Sequence, residues 1–468
     1  MRRVALAVLF PAALLAQQTG QPAQHGQASL ADSVMMLNRA GQFADAARTA
    51  KRGLDAAKTI EEKCGFLIGG GYALGRMGES ETAGVLQAID TQCRETQAVR
   101  THATDIAAIR AALASSRASA APNDIDPGKW PPLPATGVDM TAIDAFYRIA
   151  DILRSDRDPS PVEWNAMLAT PGYQLVWKQN RSIRVSMATA FKPSMKPKRD
   201  SLLAVESDQS LAIRHLLRAY DQRDAVMRAR DALSRSIADS IALGVRAAAR
   251  YLPAGTTEKT PAPFIAFAVF ADDGYALDGG VLLDPLFVIE NGLVPLISHE
   301  FHHAYVATVD RSVRTANMQY DAALYGAIRS LRNEGIADQI DKPHPLPATS
   351  GALAWYPPRY NAAYDKTPAL LKTFDSLVVV AADDSTKAAV VGQRARALFW
   401  SNGHPNGAYI AREIAETFGV DSLLPAVYDP FALLRIYAAA ERKHGRPSPF
   451  SVKAQAKLDE MEKRYVRP

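Results

Sequence analysis

The stretch Leu296-Ile297-Ser298-His299-Glu300-Phe301-His302-His303-Ala304-Tyr305 limits what this chain can fold into more than any other segment. Pro295 stands just before it, and a first-turn proline gives up no donor that a helix needs, so a helix is expected here. Residues four apart on a helix lie about 40° apart around the axis and about 6 Å along it. His299 and His303 can therefore grip one ion between them, with Glu300 beside it in an H-E-x-x-H arrangement. A carboxylate so placed can take a proton from a zinc-activated water, whose pKa the metal lowers to about 7, and act as general base. The site then needs a ligand from a second element. Asn333-Glu334-Gly335-Ile336-Ala337-Asp338 begins 30 residues beyond His303 on the next predicted helix, and Glu334 is the expected third ligand. Asp338, one turn further, is placed to accept a hydrogen bond from a ligand imidazole, that of His299, and so fix its tautomer. His302 is a competing ligand, but its use would turn His303 away.

This combination resembles the gluzincin metallopeptidases, in which a Glu on the helix after H-E-x-x-H completes the zinc site and an Asp one turn later supports a ligand histidine. The metzincin pattern fails because Val306 and Val309 stand where it needs Gly and His. The run Trp164-Asn165-Ala166-Met167-Leu168-Ala169-Thr170-Pro171-Gly172-Tyr173 and the loop Gly403-His404-Pro405-Asn406-Gly407-Ala408-Tyr409 extend the likeness. With the two helices they resemble an uncharacterised bacterial family of zinc-dependent peptidases, over about residues 140–419. The resemblance implies one Zn2+ ion and a peptide or protein substrate. Gluzincins commonly aim a downstream His or Tyr at the oxyanion, so His404 and Tyr409 are catalytic candidates, with Tyr325, Tyr356, Tyr360 and Tyr364 as further ones. The aminopeptidase string Gly-x-Met-Glu-Asn does not precede His299, so endopeptidase action is expected.

The expected architecture is mainly α with a small antiparallel β-sheet, an α+β, gluzincin-like catalytic domain over 139–468. Helices are read at 144–155, from Pro161, and at 221–251, 293–308, 318–340, 369–380, 388–400, 407–418 and 431–443. Phe264 to Phe270 and Val281 to Leu283 are short apolar runs bounded by Pro, Asp-Asp-Gly and Gly-Gly, so both read as strands. Either 264–270 or 280–284 could offer an edge on which an extended peptide pairs. Residues 29–115 carry small and apolar residues at helical spacing around Gly41 and again around Gly78, which suits tetratricopeptide-like helical hairpins or a plainer bundle. A protein partner on that domain is a further expectation. The Ala- and Pro-rich stretch 116–138 reads as a linker.

The N-terminus, Met1-Arg2-Arg3 followed by the apolar run to Leu15 and Ala16-Gln17, reads as a signal peptide over 1–16 with cleavage after Ala16. Export to the periplasm or outside the cell follows from that reading. The run is too short to span a membrane, and no later stretch reaches the roughly 20 apolar residues a span needs. The net charge of +5 falls to +3 once Arg2 and Arg3 leave, and the basic residues are scattered, so nucleic-acid binding is not indicated. Cys64 and Cys93, the only cysteines, suit either one disulfide in an oxidising compartment or two buried thiols. Two other classes stay open: an exported binding or scaffold protein with a structural or degenerate zinc site, and zinc-dependent hydrolysis of a non-peptide bond.

Overall fold

A computed structural model describes residues 30–39, 43–77, 82–118, 127–179, 191, 194–197, 210–313, 318, 321–349 and 354–467. The signal-peptide reading over 1–16 lies outside the described residues, as do Gly41 and Gly78. The chain is mainly helical with one small sheet. No helix among the described residues is long and apolar enough to cross a membrane.

Among the described residues six helices come first: α1 Leu30–Arg39, α2 Phe43–Ala56, α3 Ile60–Met77, α4 Thr82–Gln92, α5 Gln97–Thr101 and α6 Ala103–Ala118. Helix α3 runs through their middle because Gly69, Gly70 and Gly71 give it three faces without side chains. A Cβ at Gly69 would stand 2.6 Å from Val34, at Gly70 2.9 Å from Ala50, and at Gly71 2.9 Å from Val85. Side chains of α1, α2 and α4 therefore each seat directly on the α3 backbone. A disulfide joins Cys64 of α3 to Cys93, just beyond α4.

After β1 (Val138–Asp139) come α7 Thr141–Arg154, α8 Pro161–Leu168, α9 Pro171–Gln179, α10 Ser210–Asp221 and α11 Arg223–Ala249. Ser160 and Glu163 close a capping box at the start of α8, with Pro161 in its first turn. Gly172 opens α9 against the sheet: a Cβ there would stand 2.5 Å from the Phe267 carbonyl oxygen. The Tyr173 hydroxyl donates to the Val269 carbonyl at 3.0 Å. The Trp164-to-Tyr173 run thus docks two helices onto the strands. Residues 127–138, expected as linker, pack on the same helices, with Trp130 edge-on to Trp177 at 5.5 Å.

The sheet holds β1, β2 (Ile265–Phe267), β3 (Gly274–Leu277) and β4 (Gly280–Leu283), in the order β1-β2-β4-β3. It is mixed, which corrects the expected antiparallel sheet: β1 with β2 and β2 with β4 are parallel, and only β3 with β4 is antiparallel. The Asp278-Gly279 turn, with φ +107° at Gly279 and +147° at Gly280, folds β3 back along β4. The expected edges were also misplaced. Strands β2 and β4 are interior, and β3 is the edge on the hairpin side.

Asp284 ends β4 and caps α12 (Pro285–Asn291) through the Leu286 and Phe287 amides, while its other oxygen takes the Phe270 amide and faces the buried His215. Helix α13 (Leu293–Val309) follows at once. It is buried on several faces, as its apolar residues all round require. Gly244 of α11 lets Ile297 approach to 2.8 Å of where a Cβ would stand. Helix α14 (Ala322–Asp341) packs on its other flank. The fully buried Arg332 of α14 bonds Asp310, at the end of α13, and the carbonyls of Ala426 and Val427. Beyond lie α15 Tyr356–Asp365, α16 Thr367–Asp383, α17 Ala388–Leu398, α18 His404–Phe418, α19 Pro430–Lys443 and α20 Val452–Tyr465. One apolar core runs from α7 to α20.

Candidate metal centre

His299 and His303 project from α13 toward α14, and their Nε2 atoms lie 3.0 Å apart. Glu334 Oε2 is 3.1 Å from His303 Nε2 and 3.6 Å from His299 Nε2. Zinc bonds of about 2.0–2.1 Å in a tetrahedron place its ligand atoms about 3.3–3.4 Å from one another. These three atoms fit the face of such a tetrahedron. His302 does not take part: it is fully buried and its Nε2 faces the Tyr251 carbonyl oxygen at 3.3 Å. Burial, with His303 and His299 close by, holds its pKa well below the ordinary histidine value.

Glu300, next to His299, carries its carboxylate to the start of strand β3. A Cβ built on Gly274, at the start of β3, would stand 3.8 Å from Glu300 Oε1. Burial pushes the carboxyl of Asp273, one residue earlier, up to about 6 against the hydrogen bonds of Tyr275 and the Gly274 amide, and the Glu300 charge adds to the rise. Its Oδ1 accepts from the Gly274 amide at 2.9 Å.

The expected support for His299 is corrected. Asp341 lies nearest its Nδ1, at 3.0 Å, whereas Asp338 is at 3.5 Å. Seven residues bring a helix back to within about 20° of the same face, so Asp341 shares the Glu334 face two turns on. Asp338 serves a different imidazole: its Oδ1 is 2.8 Å from Nδ1 of His404, and its Oδ2 accepts from the Tyr360 hydroxyl at 2.9 Å. Asp338 and Asp341 with His299 form a second convergence of possible ligands. Lys342 already supplies its cation, with Nζ 2.8 Å from both carboxylates. Burial raises Asp338, but His404 and Lys342 outweigh it and hold the carboxyl well below its usual range.

His404 opens α18 and turns Nε2 to within 3.3 Å of Glu334 Oε2. Its ring stacks on that of His299, centroids 5.5 Å apart. Tyr409 does not join it. Five residues along a helix are about 140° around it, and Tyr409 instead packs against Tyr364 at 5.2 Å and Tyr437 at 6.2 Å. Tyr325 packs in the core beside Phe431, and Tyr356 and Tyr364 are ring neighbours of other aromatics. Helices α14 and α18 meet through glycines of the two motifs. A Cβ at Gly335 would stand 2.4 Å from the backbone of Gly407, and one at Gly407 would stand 2.2 Å from the Leu331 carbonyl oxygen.

Asn402 is a participant that the sequence reading did not single out. Its amide donates to Glu334 Oε1 at 2.9 Å, so Oε2 is left for the ion, and Ser330 donates to its carbonyl at 3.1 Å. Ser401 and Asn402 hold φ of +50° and +54° and Gly403 +89°, a left-handed run that costs non-glycine residues energy. The Trp400-Ser401-Asn402-Gly403 string has the turn residues of such a bend, which was its one visible signal.

The profile of the family described as "Putative zinc dependent peptidase (DUF5700)" matches residues 164–445, more than half of the chain and all of the groups above. The chain belongs to that family. Neither the curated proteins nor the solved structures contain a match to it. The family description fits the convergent imidazole and carboxylate ligands, which suit zinc.

Proposed function

We propose that this family member is an exported zinc endopeptidase of gluzincin type in which His299, His303 and Glu334 hold one ion and Glu300 is the general base. One observation carries the reading: two imidazole nitrogens and a carboxylate oxygen converge within 3.0–3.6 Å while the neighbouring Glu300 faces strand β3. Bound zinc supplies a Lewis acid for the scissile carbonyl and lowers the pKa of a coordinated water to about 7. Glu300 receives the proton of the attacking water and returns it to the leaving amine. Asp341 keeps the proton of His299 on Nδ1, which frees Nε2 as a ligand, and Asn402 fixes the outer oxygen of Glu334.

Strand β3 is the edge that an extended substrate would join, its main chain pairing with residues 274–277 beside Glu300. Export is supported by the charged and apolar start of the chain and by the Cys64–Cys93 disulfide, which belongs in an oxidising compartment. The N-terminal helices would then present a surface to substrate or partner.

A second reading, an exported scaffold protein with a structural zinc, draws on His404, because a fourth protein ligand is the mark of a closed centre. The Glu300→Gln variant, assayed against a broad peptide library with metal analysis alongside, separates the two. The peptidase reading expects zinc retained and turnover lowered about 10²- to 10⁴-fold. Full turnover in that variant removes Glu300 as the base, and no cleavage by the parent chain favours the scaffold.

A further inference from the structure

The sequence places His404 outside the ligand set, as a candidate oxyanion donor. Its position is closer than that role needs. Nε2 lies 3.3 Å from Glu334 Oε2, which is the spacing of two ligands on one tetrahedral zinc ion, and ligand atoms of His299, Glu334 and His404 all lie within 4.8 Å of one another. We propose that His404 is a fourth protein ligand of the resting centre, so that the ion is held by three imidazoles and one carboxylate. This rests on the zinc reading of the site given above.

Three further features support it. A zinc-bound histidine characteristically donates its other ring N–H to a carboxylate, and Asp338 stands 2.8 Å from Nδ1 with its second oxygen fixed by the Tyr360 hydroxyl. With Nδ1 donating to Asp338, a neutral imidazole turns the lone pair of Nε2 toward the ion. Of the strained residues Ser401 and Asn402, Asn402 is pinned to Glu334 and Ser330, so the backbone that delivers His404 is anchored to the ligand carboxylate itself. Finally, the Gly335 to Gly407 contact holds the start of the His404 helix directly against the helix that carries Glu334.

The consequence is a centre closed at rest by its own side chain. A catalytic water would then need either His404 to release the ion or a fifth coordination position, which zinc can offer.

The test compares zinc X-ray absorption and chelator competition in the full chain carrying Glu300→Gln, alone and combined with His404→Ala or His404→Asn. Asparagine keeps a partner for Asp338 but has no atom in the place of Nε2. Three imidazoles are expected in the Glu300→Gln chain and two in each double variant, with zinc affinity at least about tenfold weaker. Melting temperatures in excess chelator, equal across the set, assign the loss to the metal and not to folding. Two imidazoles throughout, with equal zinc affinity, overturn the fourth ligand and leave the three-ligand reading standing. A chain that takes up no zinc at all overturns both.

Discussion

The separation of α14 and α18 is set by two glycines, and Gly335→Ala puts that to a quantitative test. The added Cβ would sit 2.4 Å from Gly407 backbone atoms, about 1 Å inside the 3.4 Å at which ordinary contact begins. Backbone cannot swing aside as a side-chain end can, so the helices must part by about that much. Overpacking of this kind costs about 1–3 kcal/mol. Glu334 is the adjacent residue, and a metal site tolerates ligand displacements of only about 0.2 Å. Zinc affinity should therefore fall about tenfold or more, in addition to the loss of stability. Chelator competition reads the first effect, and urea unfolding in excess chelator reads the second. Gly326→Ala on the same helix is the control, because its Cβ would have nothing nearer than 3.7 Å and should gain up to about 1 kcal/mol of helix propensity. Native zinc affinity in Gly335→Ala would refute the claim that this contact sets the site.

Asn402→Gly removes the amide that fixes Glu334 while permitting the same left-handed backbone, so zinc affinity should drop about 10- to 100-fold as chelator-stripped stability holds or rises by about 1 kcal/mol. Equal zinc affinity in the two proteins would show that Asn402 is not a support for the ligand. Far from the metal, burial lowers the pKa of His215, but Asp284 and Asp272 outweigh it and lift the imidazole to about 10. Because the folded value lies above the unfolded one, this pairing contributes fully below about pH 6.5 and is lost as pH rises through 10, on the order of a few kcal/mol. Urea unfolding of the chelator-treated chain between pH 6.5 and 10 should show that decline, and His215→Gln should flatten it; equal slopes would remove the pairing as its cause.

Helix α13 was legible almost to its ends, expected over 293–308 and found over Leu293–Val309, because its signal is local: proline at the start, a long apolar run and a four-residue ligand spacing. The same locality made Glu334 visible, since the position of a carboxylate on its own helix follows from counting residues. Strand β1 was not visible. Two residues carry no periodicity, and their parallel pairing with β2 is made by chain more than 120 residues away.

The residue sequence alone determined which side chains share a helical face: His299 with His303, and Glu334 with Asp338 and Asp341. Only the tertiary structure decided which faces meet. Packing of α13 on α14 gave Asp341 to His299, while crossing α18 over α14 at glycine distance gave Asp338 to His404, turned Tyr409 away from the ligands and brought His404 beside them. The physical reason is that helical periodicity fixes angles within one element, whereas partners across elements depend on a crossing set by packing of residues 66–72 positions apart in the chain.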